Sequence, residues 1–334
     1  MVNSSRMRTR RLGPFTVSAI GLGCMGMSQS YGEADLAESE RVLLGALDAG
    51  YTFFDTAALY GFGHNESLIG RVLRHRRNDF VLASKCGLFK DDQGRRTVDG
   101  SPATLRQTCE DSLKRLQTDA IDLYYLHRID PKVPVEDSVG ALAELVRAGK
   151  VKTIGLCEMS PSTLRRAHAV HPITAVQSEY SLWTRNPEAR ILPLCRELGI
   201  SFVPYCPLGR GFLTGQLRDT AQLGQQDLRR TMPRFQGDNF MANLKLLEGL
   251  SRVAKTTGCT MAQLALAWVL AQGEDIVPIP GTKRVKYMQE NARAVDIALS
   301  AANLKRLDDL INPATVTGAR YDSNFALTLD SEKE

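Results

Sequence analysis

From residue 19 to residue 294 the sequence alternates between short apolar runs and longer amphipathic ones, and few folds accept that rhythm. Runs at 51–56, 80–85, 121–127, 151–156, 174–180, 201–206 and 276–280 have strand length and strand-forming residues, and Ala19 to Gly26 supplies a first one. The segments between them place apolar residues at helical spacing. Val42, Leu43, Ala46 and Leu47 share one face of 38–49, which Gly50 ends. Ser101-Pro102 and Ser160-Pro161 pair a capping serine with a first-turn proline, Asn65 reads as the cap of 65–73, and Thr260-Met-Ala-Gln263 as a capping box.

Strict alternation of strand and helix implies parallel strands. Eight such units close into a barrel, so the expected class is α/β, a (β/α)8 TIM barrel. Thr9 to Ser18, turning at Gly13-Pro14, predicts an N-terminal β-hairpin that plugs the barrel floor. Ser300 opens an extra C-terminal helix ending near Asn312. Residues 1–312 are therefore read as a single domain, and 313–334 as a polar tail over the barrel mouth. Residues 207–240, rich in Gly, Arg, Gln and Asp, form a long loop of the kind that usually carries function. An open doubly wound sheet would need a dinucleotide fingerprint. Gly21-Leu-Gly23-Cys-Met-Gly26 has the letters, but no helix opens after it; Met27 to Ala37 is polar and turn-like.

The chemistry collects at strand ends. Tyr51-Thr-Phe-Phe54 ends in Asp55, Phe80 to Ser84 in Lys85, and Ile121 to Leu126 in His127; Tyr60 follows Asp55 by five residues. In a parallel barrel all C-terminal strand ends share one rim, so these side chains converge. A phenol is a weak acid, and a nearby ammonium favours its ionised form. An aspartate would hold that ammonium charged, and a histidine could donate to a substrate oxygen. The set suits protonation of an alkoxide forming at a carbonyl carbon. No side chain supplies a hydride, so the chemistry calls for a nicotinamide.

Composition removes other classes. The chain is 43% hydrophobic and 24% charged, with a net charge of +5 and no aromatic-basic interleaving, which speaks against nucleic acid. Seven scattered cysteines without CxxC or metal spacing point to reduced thiols, no metal and a cytoplasmic protein. The first residues lack a signal-peptide core, and no apolar run approaches the ~18 residues of a membrane span. Cys86, Cys157 and Cys206 read as small apolar fillers. Trp183 and Met25 fit either a substrate pocket or plain packing.

Phe54-Asp55-Thr-Ala-Ala-Leu-Tyr60-Gly61, Gly63-His-Asn65-Glu66-Ser-Leu-Ile-Gly70, Ala83-Ser84-Lys85 and Leu123-Tyr-Tyr-Leu-His127 resemble the aldo-keto reductases, in family order. The resemblance spans about residues 8–312. It implies a catalytic tetrad of Asp55, Tyr60, Lys85 and His127, with Tyr60 as the general acid, and NADPH lying extended across the barrel mouth. By the same resemblance Cys157 and Glu158 stand where a Ser-Asn pair holds the nicotinamide amide, with Gln177 beside them. Tyr205 would stack on the ring, and Pro207, Leu208, Gly209, Arg210 and Gly211 would cover the pyrophosphate. Gly281, Thr282, Lys283 and Arg284 match the adenosine-phosphate site, and Gln289 and Asn291 the adenine end. Lys283 or Arg284 would take the phosphate contact, because Tyr287 stands where many relatives have arginine.

The expected activity is NADPH-dependent reduction of aldehydes or ketones to alcohols, on a small-molecule carbonyl substrate. Two other readings stay open at this point. One is a redox-sensing, NADPH-binding subunit of low turnover; the other is a Schiff-base lyase using Lys85. The sequence leaves the substrate, the direction of reaction and a homo-oligomeric state open.

Overall fold

The computed structural model describes residues 7–90, 96–322, 326 and 329–333. β1 (Thr9–Leu12) and β2 (Phe15–Ser18) pair antiparallel. The alternating part begins with β3 (Leu22–Gly23), α1 (Leu36–Asp48), β4 (Phe53–Asp55), α2 (His64–Leu73) and β5 (Val81–Cys86). A small antiparallel ribbon, β6 (Leu88–Lys90) with β7 (Arg96–Val98), precedes α3 (Pro102–Leu116). Then follow β8 (Ile121–Leu126), α4 (Val135–Arg147), β9 (Val151–Cys157), α5 (Pro161–Val170), β10 (Ile173–Glu179), α6 (Ile191–Leu198) and β11 (Ser201–Tyr205). Among the described residues five more α-helices follow: α7 (Gly237–Leu244), α8 (Leu246–Thr257), α9 (Met261–Ala271), α10 (Val285–Ala292) and α11 (Ala301–Leu310).

The large sheet is all parallel, in the order β11-β10-β9-β8-β5-β4-β3. The eighth run, expected at 276–280, joins its two edges. Val277 N and Ile279 N donate to Phe202 O (2.9 Å) and Pro204 O (3.0 Å), while Gly21 N and Gly23 N donate to Pro278 O (2.9 Å) and Pro280 O (3.3 Å). The two prolines sit at positions that face β3, where their carbonyls accept but no N–H is available to donate, so this seam carries hydrogen bonds in one direction only. Gly23 is required here, since a β-carbon would lie 2.7 Å from Ile279 O. The (β/α)8 barrel is thereby closed.

Alternation with period two fills the inside. Leu12 and Val17 of the hairpin pack with Phe53, Ala83, Leu123, Tyr125, Cys157, Ala175, Val203, Val277 and Ile279 in an inner core separate from the helix–sheet layer. Gly13 N donates to Ser201 Oγ (3.1 Å) at the start of β11, which places the hairpin at the N-terminal end, as its sequence predicts.

Two boundaries differ from expectation. Asn65 is not the cap of α2: the helix starts at His64 behind Gly63, whose φ is +86°, and Asn65 is buried. Its amide donates to Cys24 O (2.9 Å) and Ser28 Oγ (2.8 Å) and accepts from Thr56 Oγ1 (2.6 Å). It thus ties together the loops after β3 and β4. The helix expected over 241–257 is two helices, α7 and α8, and α7 begins inside the predicted loop. The rest of that loop is a chain of single turns packed under Trp183, which stacks on Phe212 at 4.1 Å and meets Phe235 edge-on.

Candidate active site

Period two also explains which side chains reach the mouth. Two residues on from the inner-core side chains Phe53, Ala83, Tyr125, Ala175 and Val203 come Asp55, Lys85, His127, Gln177 and Tyr205. All five border one cavity or its floor. Asp55, Tyr60, His127, Cys157, Gln177 and Tyr205 line a cavity of about 650 Å³ that runs on to Thr282, Lys283, Arg284 and Asn291. Lys85, only 1% exposed, lies just beneath.

Lys85 is the hub. Its Nζ donates to Asp55 Oδ1, to Thr56 O (2.8 Å) and to the Tyr60 hydroxyl (3.3 Å). The Gln177 amide donates to the other Asp55 oxygen (2.8 Å), so Asp55 is fixed from two sides. Tyr60 meets the His127 ring edge-on, with centroids 6.0 Å apart. The four sequence-predicted residues therefore stand together at one end of the cavity.

Burial acts to lower the Lys85 pKa, but the facing charge of Asp55 outweighs it, and the amine is held as an ammonium. Burial raises the Asp55 pKa, and Lys85 and Gln177 offset only part of that. Tyr60 corrects the expectation drawn from sequence. Lys85 does favour the phenolate, but burial is the larger effect and Asp55 opposes it, so the phenol is pushed up to about 12. Tyr60 therefore stays protonated at neutral pH. Burial raises the Cys157 thiol to about 12 and raises Cys86 and Cys206 as well, which suits fillers and not nucleophiles.

Of the residues matched to the cofactor, Pro207, Leu208, Arg210, Gly211 and Gly281 also line the cavity. Gly209, Glu158 and Gln289 do not. Gly209 lies under the loop against Trp183, Gln289 is exposed on α10, and Glu290 and Tyr287 take its place in the wall.

Glu158 has another task. Both its oxygens accept from Arg320 at 2.8 Å, and Tyr205, Ser331 and the Glu179 amide add further donors. The Arg320 charge holds its carboxyl well below the usual range, against the opposing effect of burial. Its φ of +51° is a left-handed backbone that a non-glycine residue adopts at a cost. Beside it Arg210 donates to Glu179 Oε2 and to the Tyr321 hydroxyl, both at 2.6 Å. The tail is thus latched to the ends of β9 and β10. Met25 lines the cavity and Trp183 does not.

Sequence reasoning passed over Arg128, Tyr31, Arg320 and Tyr321. Arg128 had a visible signal, a second ionisable residue directly after a strand-end histidine; Arg320 and Tyr321 had none beyond a basic-aromatic pair in a polar tail. Residues 91–95 lie outside the described residues, as does part of the tail expected over the barrel mouth. Among the described residues no helix is long and apolar enough to cross a membrane.

The sequence model of the Aldo/keto reductase family matches residues 19–312. The chain is 46% identical over 319 residues to a Schizosaccharomyces pombe protein named aldo-keto reductase yakc, whose name carries NADP(+), with 94% of each chain covered. The glycerol dehydrogenase AKR11B4 of Gluconobacter oxydans superposes with a TM-score of 0.83 at 28% identity, covering 96% of this chain and 99% of that one. An aldo-keto reductase of Klebsiella pneumoniae, solved with NADPH, gives a TM-score of 0.73 at 29% identity, covering 95% and 99%. With its closed barrel and a family match across most of its length, this chain belongs to the aldo/keto reductase family.

Proposed function

We propose that the protein is an NADPH-dependent carbonyl reductase, with Tyr60 as the general acid. The observation that carries this reading is the Tyr60 hydroxyl 3.3 Å from the Lys85 ammonium, on a cavity that also reaches the cationic Lys283 and Arg284. The Lys85 amine is bound to Asp55 and Thr56 O and held charged, which disfavours its use as a Schiff-base nucleophile.

The residues present fit a dinucleotide. Lys283 and Arg284 precede α10, where a helix N-terminus adds to their attraction for phosphate. Burial lowers the Lys283 pKa, and the charges of Arg284 and Arg229 lower it further, so these cations crowd one another. Lys283 Nζ is already held by Tyr31 O (2.8 Å), Gly32 O (3.2 Å) and Glu33 O (2.5 Å). Arg284 is exposed and its guanidinium makes no hydrogen bond among the described residues, so it is the better placed of the two for a 2′-phosphate.

When bound, the reduced nicotinamide supplies the hydride that the protein lacks. The chain's own residues handle the oxygen. His127 is positioned to donate to the substrate carbonyl and orient it. As negative charge develops on that oxygen, the Lys85 ammonium stabilises it through the Tyr60 hydroxyl. The phenol, held above its ordinary value by burial, stays protonated until the far more basic alkoxide forms, and then gives it its proton.

Mixing the protein with NADPH and a panel of aldehydes and ketones should give NADPH loss with a matching amount of alcohol over many turnovers. Tight NADPH binding with no alcohol formed would favour the sensing subunit. Arg284→Ala should weaken NADPH binding by ~10–100-fold, the worth of a charge-assisted contact, and NADH by less than about threefold. Fluorescence titration of both cofactors reads this; equal weakening would move the phosphate contact elsewhere.

A further inference from the structure

The tetrad end of the cavity carries a cation that the reaction outlined above does not use. Lys85 is paired with Asp55, Arg210 with Glu179 and Arg320 with Glu158. Arg128, 9% exposed, lines the same cavity. Of the five N–H groups of a guanidinium, one donates to the carbonyl of its neighbour His127, at 2.6 Å. Among the described residues no carboxylate stands within ion-pair distance of it. Glu158, whose charge reaches Arg128, already has both oxygens held by Arg320.

The location is informative. Arg128 directly follows His127 at the end of β8, and Cys157 of the next strand lies within electrostatic reach of both Arg128 and Lys85. The two cations therefore flank one stretch of wall, and Lys85 is covered by Tyr60 where Arg128 faces the cavity. Burying a charge without a partner is costly, and such a group gains most from a ligand that completes it. A planar guanidinium with free donors matches a carboxylate, which it can hold with two parallel hydrogen bonds.

We propose that Arg128 is a specificity residue that binds a carboxylate on the substrate, so that the preferred substrates are aldehydes or ketones bearing a carboxylate near the reacting carbonyl. This rests on the reductase reading and deepens it. A neutral carbonyl compound would still reach Tyr60 and His127, but it would leave the Arg128 guanidinium unsatisfied. A carboxylated one would gain the pairing and be held in a fixed orientation, with its carbonyl towards the phenol.

The test measures kcat/KM with NADPH for two matched pairs, 4-oxobutanoate against butanal and 4-carboxybenzaldehyde against benzaldehyde. Wild type, Arg128→Met and Arg128→Lys are compared. The wild type should prefer a carboxylated member by at least ~10-fold, and Arg128→Met should lose ~10–100-fold on it while changing the neutral aldehydes by less than about threefold. Arg128→Lys should fall between, since it keeps the charge and loses the fork. NADPH binding should be unchanged in both variants. Equal losses on charged and neutral members, or weakened NADPH binding, would assign Arg128 to the scaffold or to the cofactor and overturn the proposal. A wild type that reduces aldehydes without preferring either acid overturns it as well, while leaving the reductase reading intact. Failure to reduce any of the four would instead remove the reductase reading. Should Arg128→Met not fold, the wild-type preference and Arg128→Lys decide the matter.

Discussion

Tyr60→Phe should reduce carbonyl turnover by about 10²–10⁴-fold, the usual worth of a positioned proton donor. The substitution removes one oxygen and little else. The ring keeps its edge-on packing against His127, and Lys85 keeps Asp55 and Thr56 O as partners. NADPH binding should accordingly stay within about twofold of wild type, because the loss is confined to a hydrogen bond that strengthens in the transition state. Steady-state rates and a cofactor titration on the same preparation separate the two. A variant with more than about a tenth of normal turnover would mean that another group, or water, delivers the proton.

The second large effect concerns the tail. Arg320→Ala leaves Glu158 buried with its strongest partner gone, and removing one member of a buried pair typically costs about 3–5 kcal/mol. The low end is expected, since Tyr205, Ser331 and the Glu179 amide still donate to it. The variant should show a lower denaturation midpoint and faster proteolysis beyond Asn312. Glu158→Gln combined with Arg320→Met should recover part of the loss, because neither charge is then stranded. The acid limb gives an independent reading. Glu158 has a carboxyl depressed below its unfolded value of about 4.3, so its contribution is complete above that pH and fades as pH falls through the lower folded value. Wild type should lose this stabilisation below about pH 4, and Arg320→Ala should have little of it left to lose. Matching acid curves and unchanged cleavage of the tail would show that the latch does not hold it.

Much of the fold was legible because it depends on local periodicities. Short apolar runs of strand length marked the strands, and the serine-proline and Thr260 to Gln263 signatures marked helix starts that the structure repeats. Asp55, Lys85 and His127 were readable for the same reason, since a strand end is a local feature and the barrel brings all strand ends together. What escaped depends on contacts across long stretches of chain. Asn65 looked like a cap because its neighbours in sequence were all that could be seen, while its actual partners, Cys24 and Ser28, lie about 40 residues earlier. Glu158 and Arg320 are separated by 162 residues, and no pattern within the tail announces the pair. The Tyr60 pKa escaped for a different reason. Its sign is decided by burial against Lys85, and sequence names the lysine without giving the depth.

The joint between β3 and the last strand has a mechanical consequence. Around the rest of the hoop, neighbouring strands exchange amides in both directions. Here Pro278 and Pro280 only receive, so the ring is fastened on that side by donors from Gly21 and Gly23 alone. Under heat or strain the staves would part first at this join, and a barrel opened there would uncover the cavity wall formed by Gly23, Ile279 and Gly281.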